Sequence, residues 1–336
     1  MFKWYKRADI CLAFLFDVPF NPDHMGPSDN LALITPQPEF STSRWFTRGW
    51  TLQELIAPGS VVFLDATWNV IGTKYSLARR IQEITHIRHE VLAGDYMVLS
   101  LATIAEKMSW ASKRETTRLE DMAYCLMGLF DVYMPPLYGE GTRAFTRLQE
   151  EILRNSSDLS IFAWSIPGRT MRGGDLSHNV RVSTWCAGFL ADSPRAFAGC
   201  HDFSWFRPVY QSYRSTLRPL KMSSDGIHFT ALCKAVRDGS TLIVLGCDER
   251  EEPGTLIAVR GLVWEGTTCG RVGDSVEFLS SGDSGLEWKE VCVSKTLKTR
   301  VFNSVPMKPG TNEWPAIRVL SEKRRNAINM HRTASI

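Results

Sequence analysis

Residues 44–57 read RWFTRGWTLQELIA. Trp45, Phe46 and Trp50 crowd together, and a single carboxylate, Glu54, follows in an otherwise apolar turn. Glu54 stands one helical turn on from Trp50, on the same face. A carboxylate beside an indole in a cleft loses water, which raises its pKa and fixes its rotamer. Such a group can hold hydroxyls or stabilise a developing positive charge. The plainer reading is a solvated helix glutamate, or one paired with a neighbour such as Arg48.

Other strings carry less chemistry. GDSG at Gly282–Gly285 has the letters of a serine-protease nucleophile site, yet it lies in a late polar turn with no matching histidine motif, so a hairpin turn is expected. His86 and His89 in HIRHE could share a metal by spacing, but the order matches no zincin pattern and a surface helix end is expected. No Walker-type or dinucleotide-type glycine loop occurs. The eight cysteines are scattered without a C-x-x-C pair, several at apolar periodic positions, where a free thiol acts as a small hydrophobe. That usage favours a reducing compartment, and a cytoplasmic location is expected. Asn155-Ser156-Ser157 is a formal sequon with nothing else pointing to secretion.

The elements that must position these residues follow from periodicity. FKWYKRA predicts an amphipathic helical turn, and the continuous apolar run of DICLAFLFDV predicts a strand buried on both faces. Residues 20–42 predict a loop, and the RWFTRGWTLQELIA stretch a helix stopped by Pro58-Gly59. VVFLDA predicts a second buried strand and SLARRIQEITHI a helix, an order that argues for an α/β layer. SLATIAEKMSWAS places Leu101, Ile104, Ala105 and Met108 at helix spacing. In TRLEDMAYCLMGLFDV, Thr117 and Glu120 have capping-box spacing, and Leu119, Met122, Ala123, Leu126 and Phe130 form the expected core stripe. TRAFTRLQEEILRN predicts a further helix with Phe145, Leu148 and Ile152 inward. Arg118, Glu120, Asp121, Tyr138 and Glu140 are placed to form a polar network. Residues 167–215 predict an irregular connection. From about residue 220 the period changes to two: Ile227, Phe229, Ala231 and Cys233 share a face, and TLIVLGCDE, TLIAVRGLVWEG and WKEVCVSKTL add strands to a small antiparallel β domain. The end, from 306 to 336, is basic and polar and expected to be disordered.

Composition excludes several function classes. The 336 residues carry a net charge of +3, with 44% hydrophobic and 22% charged, an ordinary globular balance. No dense Lys/Arg stripe marks a nucleic-acid surface. The apolar run Ile10 to Phe16 is too short to span a bilayer and lacks a small-residue cleavage site, so neither a membrane span nor a targeting segment is expected. The length suits two domains, or one domain with an extension. The expected division is 1–95, 96–165, 166–219, 220–305 and 306–336.

SRWFTRGWTLQELIAP, followed by SWASKRETTRLEDMAYCLMGLFDVYMPPLYGEGTRAFTRLQEEIL, closely resembles the fungal heterokaryon-incompatibility (HET) domain proteins, and within them the vegetative-incompatibility subgroup. The resemblance covers about residues 1–165, with 166–305 similar to the looser β-rich continuation of that subgroup. It implies an α/β remnant of a TIR-like parallel sheet, then a helical segment and a small antiparallel β domain, α+β overall. Many TIR domains cleave NAD with a glutamate in a W-C-x-x-E-L-type helix, and Trp50 to Leu55 have that spacing. The resemblance thus puts Glu54 at the candidate catalytic position, with Trp45, Arg48, Trp50 and Gln53 as supporting residues, and NAD as substrate rather than bound cofactor. Loss of nicotinamide passes through an oxocarbenium-like state that a carboxylate can stabilise. A complete HET domain opens with blocks of the type Y-x-x-L-S-Y-x-W-G and W-I-D-x-x-C-I. Neither occurs here, so the resemblance implies a truncated, non-catalytic module linked to programmed cell death. Self-association, or binding of another HET or nucleotide-sensing protein, is its expected mode. The alternatives are a NAD-cleaving effector using Glu54 and a gene fragment without independent function.

Overall fold

The computed structural model describes residues 1–20, 38–165, 185–205, 220–224, 226–237, 239–264, 268–272, 276–280, 282–295 and 299–300. Most of the loop expected at 20–42, much of the connection expected at 167–215, and the whole 306–336 end lie outside the described residues. The chain forms two compact units. The first comprises Met1–Asn155 and Asp192–Ser204, and the second Ser156–Ala191 and Trp205–Ile336.

The first unit opens with α1 (Phe2–Arg7), β1 (Cys11–Phe14) and α2 (Pro38–Thr42). A 3-10 turn, Arg44–Thr47, leads into α3 (Thr51–Ile56), which Pro58 and Gly59 follow. β2 (Val61–Leu64) and β3 (Val70–Thr73) complete a three-stranded sheet in the order β1-β2-β3. β1 and β2 run parallel, with Cys11 opposite Val61 and Phe14 opposite Leu64, as an α/β crossover through α3 requires. β3 was not expected from the sequence, and it pairs antiparallel with β2. Its reversal is built by Asp65, whose carboxylate accepts from Thr67 N, Thr67 Oγ1 and Asn69 N at 2.8–2.9 Å while Trp68 turns at φ 67°. Those bonds hold the Asp65 carboxyl below its ordinary pKa, against the opposing effect of burial.

The core beneath this sheet is aromatic. Phe40, Trp45, Phe46 and Phe63 are buried and meet edge to face, with ring centroids 5.2–5.4 Å apart. The β1 run corrects the expectation of burial on both faces. Ala13 and Leu15 are buried, but Ile10, Leu12 and Phe16 are more than half exposed. β1 is the edge of its sheet, and on the Leu12 face Phe14 stacks on Trp68 with ring centroids 4.6 Å apart.

The helices that follow are α4 (Ala78–Thr85), α5 (His89–Leu92), α6 (Tyr96–Leu101), α7 (Ile104–Ser109), α8 (Asp121–Tyr124) and α9 (Arg143–Asn155). The helix expected across 100–112 is interrupted. Asp95 caps α6 through Met97 N and Val98 N, the backbone turns at Ala102, and Thr103 caps α7 through Glu106 N. Leu101 is therefore exposed rather than part of a core face. The capping box expected from Thr117 and Glu120 does not form either. α8 is a single turn, and the Glu120 carboxylate instead accepts from Gly139 N at 2.8 Å and Gly141 N at 3.0 Å. Leu119 is consequently exposed, while Ala123 and Leu126 are buried. α9 follows its sequence pattern, with Phe145, Leu148 and Ile152 buried.

The second unit holds a 3-10 turn, Leu159–Phe162, and β4 (Trp185–Ala187). β5 (Phe203–Trp205) straddles the point in the sequence where the chain passes from the first unit to the second. Then come β6 (Lys221–Met222), β7 (Ile227–Ala235), β8 (Thr241–Glu249), β9 (Thr255–Trp264), β10 (Thr268–Val272), β11 (Glu277–Ser280), β12 (Glu287–Val293) and β13 (Thr299–Arg300). The strands pair in the order β11-β9-β8-β7-β12-β10-β4-β13, with β6 beside β7. β9 also pairs with β10, so β9, β8, β7, β12 and β10 close into a ring that leaves few free edges. The pairings are antiparallel except β10 with β12. β7 buries Ile227, Phe229, Ala231 and Cys233 in strict alternation, as its sequence implies. Arg271 is fully buried in this unit. It donates to the carbonyls of Phe162 (2.8 Å) and Trp164 and lies 3.8 Å over the Trp164 ring.

Candidate functional site

α3 carries Glu54 and is fixed from both ends. On the N-terminal side, Ser43 caps the 3-10 turn through Trp45 N and donates to Asp17 Oδ1 at 2.7 Å, while Arg44 N donates to Asp17 Oδ2 at 2.7 Å. Thr51 Oγ1 reaches the carbonyls of Trp45 (2.6 Å) and Arg48 (2.8 Å). Arg114 is buried behind them. It donates to Arg48 O at 2.9 Å, Thr51 Oγ1 at 2.8 Å and Trp110 O at 3.2 Å. Burial pulls its pKa down to about 10, with the charges of Cys125 and Glu54 opposing. Its Nη2 is buried without a hydrogen-bond partner among the described residues.

On the C-terminal side, the buried Lys74 ammonium donates to the carbonyls of Leu55 (3.2 Å) and Pro58. A cation at this end of a helix satisfies orphan carbonyls and matches the helix dipole. Desolvation nevertheless lowers the Lys74 pKa to about 8, with Cys11 opposing.

Glu54 is half-buried, and its partner is Tyr5 of α1, whose phenol donates to Oε1 at 3.1 Å. Burial, and next the Glu54 charge and hydrogen bond, push the phenol up to about 12. The Cys11 thiol is raised by burial and then by Glu54. Glu54 Oε2 has no hydrogen-bond partner among the described residues. Chemically this is a positioned carboxylate with one oxygen committed to a phenol and one uncommitted.

The expected supporting residues divide. Trp45 is buried in the aromatic core. Trp50 stands at the position before α3, half-buried. Arg48 contributes its carbonyl to Thr51 and Arg114, and its exposed side chain forms no ion pair or hydrogen bond among the described residues. Gln53 points away into the interior. It donates to Cys125 O, and its Oε1 has no partner among the described residues. Tyr5, Lys74 and Arg114 were not singled out from sequence. Lys74 and Arg114 are buried and Tyr5 is half-buried, and no periodicity discloses any of these positions.

The other flagged residues resolve locally. His86 ends α4 at φ 57° and stacks on His201, with ring centroids 4.6 Å apart, while His89 pairs with Glu90. Asp283 of the GDSG stretch accepts from Lys234 at 2.7 Å. Of the polar network expected among Arg118, Glu120, Asp121, Tyr138 and Glu140, the structure joins Arg118, Tyr138 and Asp121, while Glu120 binds backbone amides and Glu140 binds other side chains. Tyr138 OH donates to Asp121 at 3.0 Å beneath Arg118, and Glu140 binds Tyr124 OH (2.9 Å) and Arg147.

Residues 143–224 match a domain of unknown function, DUF8212. No solved structure matches the chain. Over 197 residues, 57% of its length, the chain is 44% identical to the vegetative incompatibility protein HET-E-1 of Podospora anserina. Those residues span 13% of that relative. The chain is therefore similar, over more than half of its own length, to a segment of a fungal vegetative incompatibility protein.

Proposed function

We propose that this chain is part of a fungal non-self recognition system of the vegetative-incompatibility kind, acting by association and linked to programmed cell death. The observation that carries the proposal is the 44% identity to HET-E-1 over 197 residues. The parallel pairing of β1 with β2 across α3 supports a TIR-like ancestry for the first unit. The exposed Leu12 on edge strand β1, flanked by the exposed Ile10 and Phe16, supports association, because an apolar, unpaired edge is a template for another chain. Its partner is a second copy, another HET protein or a nucleotide-sensing protein. The test is expression of the chain in fungal cells, with light scattering on the purified protein. Leu12→Lys should weaken association and cell death together, and Glu54→Gln should spare both. Death that is lost in Glu54→Gln but kept in Leu12→Lys would overturn the proposal.

A second reading is NAD cleavage by Glu54, favoured by its half-buried, Tyr5-positioned carboxylate. It expects the purified chain to release nicotinamide from NAD and Glu54→Gln to stop that release. No release from either protein would remove this reading.

A further inference from the structure

Three strands of the second unit bring together a set of side chains that the proposed function does not use. The backbone register places Lys221 of β6, His228 of β7 and Cys292 of β12 directly opposite one another, so they share one face. Cys292 Sγ lies 3.5 Å from His228 Nε2, and Ser223 Oγ lies 2.9 Å from the same nitrogen. Ser223 Oγ is also within 3.3 Å of Gly226 O, to which it can give its proton. Nε2 has one lone pair with which to accept, so the Ser223 hydroxyl and the thiol compete for it. The thiol is backed by Gly226, where an added Cβ would stand 3.1 Å from Sγ. His228 and Ser223 are half-buried, and Cys292 beside them keeps 7% exposure.

The contrast with other thiols is chemical. Cys125 and Cys233 donate to backbone carbonyls, at 3.7 and 3.6 Å, and burial pushes them up to about 12 and 11. Cys11 is more exposed but lies near the Glu54 carboxylate, which disfavours its thiolate. Cys292 instead has an imidazole in hydrogen-bond reach, a base to which its proton can pass.

We propose that Cys292 is a hydroperoxide-sensitive thiol, activated by His228 and oxidised to a sulfenic acid. The thiol proton passes to His228 Nε2, and the thiolate attacks one oxygen of hydrogen peroxide. The S–O bond forms as the O–O bond breaks, and the leaving hydroxide takes the proton from Nε2 to depart as water. Sulfur is oxidised and peroxide is reduced, with one thiol and one peroxide giving one sulfenic acid and one water.

The test treats the full chain with hydrogen peroxide in the presence of dimedone, with each cysteine read by peptide mass spectrometry. Cys292 should acquire the adduct ahead of Cys11, Cys125 and Cys233. His228→Asn should slow its labelling about tenfold or more. Ser223→Ala removes the competitor for Nε2 and should leave the rate unchanged or raise it. Labelling of Cys292 no faster than Cys125, or an unchanged rate in His228→Asn, overturns the proposal. If His228→Asn does not fold, Ser223→Ala decides. Retained labelling supports the proposal, and its loss overturns it.

Discussion

At the residue scale, two buried cations, Arg114 and Lys74, hold the helix that presents Glu54, and neither was legible in the sequence. Hydrophobic periodicity reports apolar faces, whereas a buried Arg or Lys looks like any surface base until carbonyls close around it. Glu54 was legible because its aromatic neighbours are unusual in type, but its partner Tyr5 comes from a distant helix. Lys74 makes a pH prediction. Its folded pKa of about 8 lies below the ordinary 10.5, so between those values the unfolded chain binds more protons than the folded one. Stability from this group therefore rises with pH across that window. Tyr5 and Cys125, both raised to about 12, act oppositely, because stability held by a raised group is lost as pH climbs towards its folded value. The informative quantity is thus the difference in urea midpoint between wild type and Lys74→Met. Lys74→Met should gain least, or lose most, relative to wild type near pH 10.5. A difference flat from pH 8 to 10.5 would show that Lys74 keeps an ordinary pKa.

At the element scale, long regular patterns were readable and short, side-chain-built ones were not. α9 and β7 bury the residues their periods select, because each packs one continuous face. α8 and the α6–α7 break were misread because local polar groups outcompete the periodic pattern: Glu120 is drawn to the amides of Gly139 and Gly141, and Thr103 starts a new helix. The seating of α1 over α3 gives a prediction at this scale. A Cβ on Gly128 would stand 2.3 Å from Phe2 Cβ and 2.9 Å from Gln53 Oε1, whereas one on Gly59 meets nothing within 4 Å. Gly128→Ala should cost about 1–3 kcal/mol by overpacking, and Gly59→Ala should be neutral or slightly stabilising. Urea unfolding compares them. Equal stability of the two variants would mean that α1 is not held against α3.

At the scale of the whole molecule, the first unit is discontinuous in sequence, which local patterns cannot reveal. Asp192–Ser204 joins residues 1–155 although it lies in the stretch read as an irregular connection. Its 3-10 turn, Pro194–Phe197, packs against α7 and buries Phe197 completely. Thr103 Oγ1 donates to Phe203 O at 3.2 Å, and His201 stacks on His86. The segment thus supplies an apolar anchor, a hydrogen bond and a ring contact to the helices of the first unit. Removing the anchor alone should be costly: Phe197→Ala should destabilise the first unit by about 3–5 kcal/mol, as for other fully buried aromatics. A chain ending at residue 155 loses all three contacts and should unfold at lower urea than the Phe197→Ala full chain, followed by tryptophan fluorescence of the buried Trp45 and Trp110. If the 1–155 chain were as stable as wild type, residues 192–204 would be an accessory to the first unit rather than a structural part of it.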